Sequence, residues 1–173
     1  MSAISSDERY HEAVRLFGPA LDRLAAGYEA DRDKRRDLRQ EIHLQLWRSL
    51  AVFDGRCSLR TWTFRVAHNT AASWVVRERR GNQRLVALEE IEQTAPAADP
   101  VVELDRARAL DHLARLMLTL KPLDRQILIL YLEELDAASI AEITGLSAAN
   151  VAMKIHRVKS ILARRFQEVE RNA

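Results

Sequence analysis

The chain has 173 residues, 47% of them hydrophobic and 30% charged, which suits one globular domain or two small ones and excludes a disordered protein. Its 27 basic and 25 acidic side chains leave a net charge of +2, so the total does not announce a nucleic-acid binder. The single Cys57 excludes an internal disulfide and a cysteine metal cluster, no apolar run approaches the ~20 residues that span a bilayer, and Met1 to Tyr10 lacks the order of a signal peptide; together these predict a cytosolic protein.

In chain order, Ser5 to Glu8 has the form of a helix start, and Tyr10, Ala13, Val14 and Phe17 follow at helical spacing. Gly18-Pro19 is expected to bend or restart this helix, whose stripe continues through Leu21, Leu24, Ala25 and Tyr28. A second helix is predicted over about 35–52, with Leu38, Ile42, Leu46, Leu50 and Phe53 facing the core. Nearly opposite lie Asp37, Gln40, Leu44 and Trp47. Such a helix is either buried on both sides within its own bundle or docked on a partner.

Asp54 to Ser58 reads as a short loop, with Ser58 able to cap the helix that follows. From Leu59 to Arg80 no glycine or proline interrupts a two-faced pattern. Phe64, Ala67, Ala71, Trp74 and Val75 form the side that a helix buries. The other side carries Arg65, Asn69, Ser73, Arg77, Arg80 and Trp62. Phosphates attract cations, unpaired bases stack on a flat ring, and base edges hydrogen-bond to amides, so this face predicts contact with single-stranded nucleic acid. The ordinary alternative is a solvated face, but a Trp among arginines is costly to leave in water.

After Gly81 the pattern lapses, and residues 82–100, with Pro96 and Pro100, read as a linker. A helix returns from Val101, with Leu104, Ala107, Leu110, Leu113 and Met117 on one face. Pro122 is placed at the start of the next helix, where its missing N–H does no harm. Ile140 to Ser147, followed by Val151, Ile155, Val158 and Leu162, spells a helix, a turn at Gly145 and a second helix capped by Ser147. The core spacing leaves Asn150, Met153, Lys154 and Arg157 outside, the layout of a recognition helix. Charge follows the same division: residues 54–84 hold seven arginines against two acids, 85–111 two arginines against seven acids, and 149–173 six basic residues against two acids. Two basic blocks separated by an acidic one suggest two contact surfaces joined by a segment unsuited to DNA.

These blocks together resemble a bacterial sigma factor of the extracytoplasmic-function class, over about Tyr10 to Phe166. Asp37-Leu38-Arg39-Gln40-Glu41 is similar to the family's polymerase-binding motif, Thr61 to Ala71 to its promoter-melting segment, and Ile140 to Ser147 with Val151, Ile155, His156 and Arg157 to its upstream-element reader. The resemblance implies an all-α protein of two small helical domains, region 2 over 5–81 and region 4 over 101–168, joined by a flexible acidic linker over 82–100. It implies that Asp37, Gln40, Glu41, Leu44 and Trp47 bind core RNA polymerase at the clamp helices of the largest subunit, with region 4 near the flap of the second-largest. It places Asp54, Arg56, Ser58, Arg60, Thr61 and Trp62, with Arg65, Asn69, Ser73, Arg77 and Arg80, on the minus-ten element during melting. Ser147, Asn150, Met153, Lys154 and Arg157 would read the minus-thirty-five element, and an anti-sigma factor is a further partner it allows. Ser73, His43, Ala137-Ala138-Ser139 and Ala152-Met153 depart from the family's usual residues, which bears on promoter preference rather than on class.

No metal, cofactor, membrane contact or catalysis is expected. His11-Glu12 lacks the second histidine of a zinc-protease helix, no P-loop or Gly-rich dinucleotide turn occurs, and the five histidines are read as helix-surface residues. Two other functions compete: a stand-alone helix-turn-helix regulator dimerising through Leu44 and Trp47, and a polymerase-binding protein that does not read DNA.

Overall fold

A computed structural model describes the backbone of residues 5–86 and 117–170 and the side chains of 5–78 and 117–164; among these residues every regular element is a helix. Helix α1 (Ser6–Tyr28) starts with a reciprocal cap. The Ser5 hydroxyl accepts from the Glu8 N–H at 3.1 Å and the Glu8 carboxylate accepts from the Ser5 N–H at 2.8 Å, so two donors that a helix start leaves open are satisfied. Pro19 lies inside α1, which runs on through it without restarting. The reason is position: Pro19 and Arg15, whose carbonyl loses its donor, are both on the solvent side, where water can take the carbonyl.

Helix α2 (Arg32–Leu50) begins earlier than its apolar pattern, because the Asp31 carboxylate accepts from the N–H groups of Asp33 and Lys34 at 3.0 and 2.9 Å. Helix α3 (Leu59–Val86) follows the Ser58 cap, where the Thr61 N–H donates to Ser58 Oγ at 3.0 Å. It passes through Gly81 into the range read as linker. A glycine weakens a helix interior by only about 1 kcal/mol relative to alanine, too little to stop a long helix already formed. The remaining linker positions and the stripe at Leu104, Ala107, Leu110 and Leu113 lie outside the described residues.

Helices α1, α2 and α3 pack as a bundle on the stripes seen in the sequence. Leu21, Leu24, Leu38, Ile42, Leu46, Leu50, Phe64, Ala67 and Ala71 are buried there, each large side chain worth about 1.5–3 kcal/mol when withheld from water. The stripe of α3 also buries His68, correcting its reading as a surface residue. Its Nδ1 lies 3.0 Å from the Tyr28 hydroxyl, while its Nε2 has no partner. Burial pushes the imidazole pKa down to about 3, so it is neutral.

The C-terminal unit is built from α4 (Pro122–Leu132), α5 (Ala137–Thr144) and α6 (Ala148–Glu170). Pro122 opens α4, and the Asp136 carboxylate caps α5 by accepting from the Ser139 N–H at 2.7 Å. Gly145 ends α5 at φ +75°, a left-handed conformation that suits glycine. Ser147 Oγ then accepts from the Asn150 N–H at 3.3 Å to start α6. Ile127, Leu128, Leu130, Ile140, Ile143, Val151 and Val158 close this core.

The two units meet along α1 and, more extensively, along the first half of α3. A Cβ on Gly27 would stand 2.7 Å from Ile129 Cδ1 and 3.2 Å from Met117 Cε, so a larger residue here would make the ends of these two side chains shift. Beside it the buried Arg125 lies over the Tyr28 ring and donates to the carbonyls of Met117, Leu118 and Leu120.

Candidate polymerase and nucleic-acid interfaces

The outer face of α2 stays open. Leu44 and Trp47 are 40% and 47% exposed, and Asp37 and Gln40 are exposed on the same side. The Trp47 Nε1–H donates to the Asp7 carboxylate at 2.8 Å. Glu41 is half-buried and accepts from Gln45 Nε2 at 2.9 Å. Of the two sequence readings for this helix, burial on both sides fails, and an apolar pair with a polar fringe remains in water.

The face of α3 is divided. Its middle forms one wall of a groove of about 400 Å³, edged by Asn69, Ser73 and Arg77 with Val66 and Thr70, against Glu41, Gln45 and Ser49 of α2. Asn69, Ser73 and Arg77 are exposed. Amides, hydroxyls and a guanidinium around an apolar patch can hydrogen-bond a base edge and hold its phosphate. Gln45, Ser49 and Thr70 were missed in the sequence because the groove joins two helices, and no spacing within either one marks it. The side chain of Arg80 lies outside the described residues.

Trp62 is not on the open face that helical spacing predicts for it: it is half-buried, its Nε1–H donates to Ser49 Oγ at 3.0 Å and its ring lies 5.3 Å from that of Phe53. Helical periodicity assigns one buried side, whereas the end of α2 and the turn after it cover α3 from a second direction. Before α3, Arg56 Nε pairs with Asp54 at 2.7 Å, and the Asp54 carboxylate also accepts from the Arg56 N–H at 3.1 Å. Gly55 between them takes φ +76°. Arg60, Thr61 and Arg65 are turned toward the C-terminal unit: Arg60 donates to the Glu133 carbonyl at 2.6 Å, Arg65 to the Glu142 carbonyl at 2.8 Å, and Thr61 Oγ1 lies 3.3 Å from the Glu142 carboxylate.

On α6, Ser147, Asn150, Met153 and Arg157 are exposed, with Met153 at 65%. Lys154 is not on that face. Its Nζ pairs at 2.8 Å with the buried Asp124 of α4, in front of which α6 passes. The sequence spacing put Lys154 outside, but its neighbour Ile155 is half-buried, and a long side chain one position away can reach inward.

A cleft of about 450 Å³ between α1 and α2 is edged by Arg32, Arg35, Arg36 and Arg39. Two of these are engaged in structure, Arg35 on the carbonyls of Glu29 and Ala30 and Arg39 on Asp22. Among the described residues no group of three or more His, Cys, Asp or Glu is arranged to hold a metal, and no helix is long and apolar enough to cross a membrane.

Comparison with known proteins follows the same two units. The family model for sigma-70 region 2 matches residues 13–81, and that for sigma-70 region 4 matches residues 110–162. The RNA polymerase sigma factor YlaC of Bacillus subtilis (strain 168) is 30% identical over 125 residues, 72% of each chain. Two solved structures share the fold at 21% identity. CnrH, in complex with the cytosolic domain of CnrY, gives a TM-score of 0.64 over 92% of this chain and 88% of that one. RpoE of Bartonella quintana, in complex with the anti-sigma factor NepR, gives 0.67 over 91% and 96%.

Proposed function

The chain belongs to the sigma-70 family of RNA polymerase sigma factors, in its extracytoplasmic-function class, and so is an initiation factor that binds core polymerase and directs it to promoter DNA; we propose the following division of that work. The open face of α2, with Asp37, Gln40, Leu44 and Trp47, docks on the clamp helices of the largest subunit, and its apolar pair supplies the buried centre of that contact. The groove between α2 and α3 takes unpaired bases of the minus-ten element, with Asn69 and Ser73 at base edges and Arg77, with Arg65, on phosphates. The Asp54–Ser58 loop borders the same strand. Trp62 supports the groove from behind through Ser49 and Phe53 rather than stacking on a base.

On α6, Asn150, Met153 and Arg157 read the minus-thirty-five duplex, with Ser147 at the helix start near phosphate. Lys154 holds α6 against α4 through Asp124 and acts on DNA indirectly. Residues from 5 to the end of α3 at Val86 and 101–168 serve as the two domains, joined by the segment between them. The chain itself is no enzyme, uses no cofactor and works in the cytoplasm; the polymerase performs the chemistry. Both structural relatives are held by a protein partner, one of them by an anti-sigma factor, which supports an anti-sigma factor as a partner here too.

The observation that carries this reading is the polar groove edged by Asn69, Ser73 and Arg77. Its test is transcription from a promoter library by sigma-free core polymerase supplemented with this chain, with permanganate footprinting of the selected promoter. Asn69→Ala is expected to reduce thymine reactivity in the minus-ten region while leaving upstream protection intact. Unchanged reactivity with Asn69→Ala and Arg77→Ala combined would remove the groove from the mechanism.

A further inference from the structure

The tip of the Asp54–Ser58 loop has no polar hold of its own on the bundle: among the described residues the side chains of Asp54 and Arg56 bond to each other, around a Gly55 at φ +76°. A tip of this kind is placed by its two ends. The exit end is fixed by Ser58, whose Oγ accepts from the Thr61 N–H at 3.0 Å. The entry end is Phe53, which two groups hold. One is the Trp62 ring, tied to Ser49 and 5.3 Å away. The other is Arg9 of α1, which meets Phe53 twice: its guanidinium carbon stands 5.7 Å from the ring centre and its Nη1 donates to the Phe53 carbonyl at 3.4 Å.

Arg9 is an unusual cation. It closes the first turn of α1, near the positive end of the helix dipole, where acids are favoured and cations are not. The two acids beside it are engaged elsewhere, Asp7 on the Trp47 indole and Glu8 on the Ser5 cap. Arg9 is half-buried, and no carboxylate pairs with it among the described residues. We infer that Arg9 is a positioning residue for promoter selection, holding Phe53, and through it the Asp54–Ser58 loop, in register with the groove between α2 and α3. This rests on the reading of that loop as a border of the minus-ten strand, and it adds a residue of α1, a helix to which the reading gives no DNA contact. Hydrogen bonds discriminate between bases only as sharply as their donors and acceptors are placed. A loop freed at its entry end meets several bases equally well, so the loss falls on the choice among minus-ten sequences. Reading of the upstream element by α6 is untouched.

The test is transcription by core polymerase and the full chain from a promoter library randomised over the minus-ten element, read by sequencing. The double variant Asp54→Ala, Arg56→Ala marks the positions that the loop selects. At those positions Arg9→Ala is expected to flatten base preference about fivefold, and Arg9→Lys, which keeps a cation for the ring, about twofold. Preference in the minus-thirty-five element and helical circular dichroism should match the parent. Cys57, half-buried in the same loop, gives a second readout in the polymerase-free chain: its thiol should react with dithiodipyridine about threefold faster in Arg9→Ala. If Arg9→Ala loses helical content, Arg9→Gln takes its place and is judged by the same outcomes. Parental base preference, a parental thiol rate, or a loss of transcript spread evenly over all minus-ten sequences would overturn the inference. Failure of the underlying reading looks different: the loop double variant would itself keep parental preferences, and the inference would fall with it. Altered preferences there beside parental ones in Arg9→Ala would overturn the inference alone.

Discussion

Helices α3 and α6 both carry basic outer faces, yet the residues on them are held differently. On α6, Asn150, Met153 and Arg157 stand in water, and Lys154 and Lys159 are held by partners in their own unit, Asp124 and Tyr131. On α3, Asn69 and Arg77 stand in water, but Arg60 and Arg65 are held by the other unit. A face of the first kind can meet duplex DNA at the expense of its hydration alone. A face of the second kind exchanges one set of oxygens for another and depends on where the two units sit. Identical side chains thus differ in readiness because of what lies opposite them.

Acid should separate the two regions most strongly. His68 lies in the N-terminal bundle, with its pKa pushed down to about 3 from an ordinary 6.5. Between those values the unfolded chain takes up a proton that the folded bundle refuses. Bundle stability is therefore full above pH 6.5 and falls as pH drops toward 3, by a few kcal/mol. All three tryptophans, Trp47, Trp62 and Trp74, belong to the bundle, so denaturant titrations followed by tryptophan fluorescence at pH 7 and pH 4 measure it. Equal midpoints would mean that the imidazole reaches water.

Asp124→Asn acts on the other region. It leaves the largely buried Lys154 ammonium without its carboxylate and should destabilise the C-terminal unit by about 1–3 kcal/mol. The loss would appear in thermal circular dichroism, and the tryptophan signal should hold at the parent's value. A parallel loss in both signals would show that the units unfold as one. Next in size, Arg157→Ala should weaken binding to minus-thirty-five duplex by about tenfold and lower the salt slope by about one, read by fluorescence anisotropy at several salt concentrations. The smallest effect belongs to Asp54→Ala. Its partner Arg56 is highly exposed, so stability should change by less than about 0.5 kcal/mol. A larger shift in the unfolding midpoint would show that the loop supports the fold.

The helices were legible because their causes are local. The Ser5–Glu8 cap, Pro122 at a helix start, Gly145 between two helices and the stripe Leu38, Ile42, Leu46, Leu50 each act within a few residues. His68 was legible in principle: Phe64, Ala67, His68 and Ala71 fall at positions i, i+3, i+4 and i+7 of one stripe, and only the polarity of imidazole argued against burial. Trp62 was misplaced because a period describes one packing surface and α3 has more than one. The positions of Glu133, Glu142 and Asp124 were illegible for a different reason. Arg60 meets Glu133, Arg65 meets Glu142 and Lys154 meets Asp124 across long stretches of sequence or between helices, and no spacing rule connects such pairs.

Tyr28 gives the contact between the two units an optical signature. Its hydroxyl lies against His68 in the bundle and its ring lies under Arg125 of the other unit, and burial raises its pKa well above the ordinary 10. The chain has three tyrosines, and this phenol should stay protonated in the alkaline range where a solvated one yields phenolate absorbance. Because the closed form retains a proton that an opened or unfolded chain releases, alkali above pH 10 pulls the equilibrium toward release. A spectrophotometric titration should therefore resolve a late phenolate step whose midpoint moves down when water reaches the ring, because relief of burial outweighs the loss of the Arg125 cation that favours the phenolate.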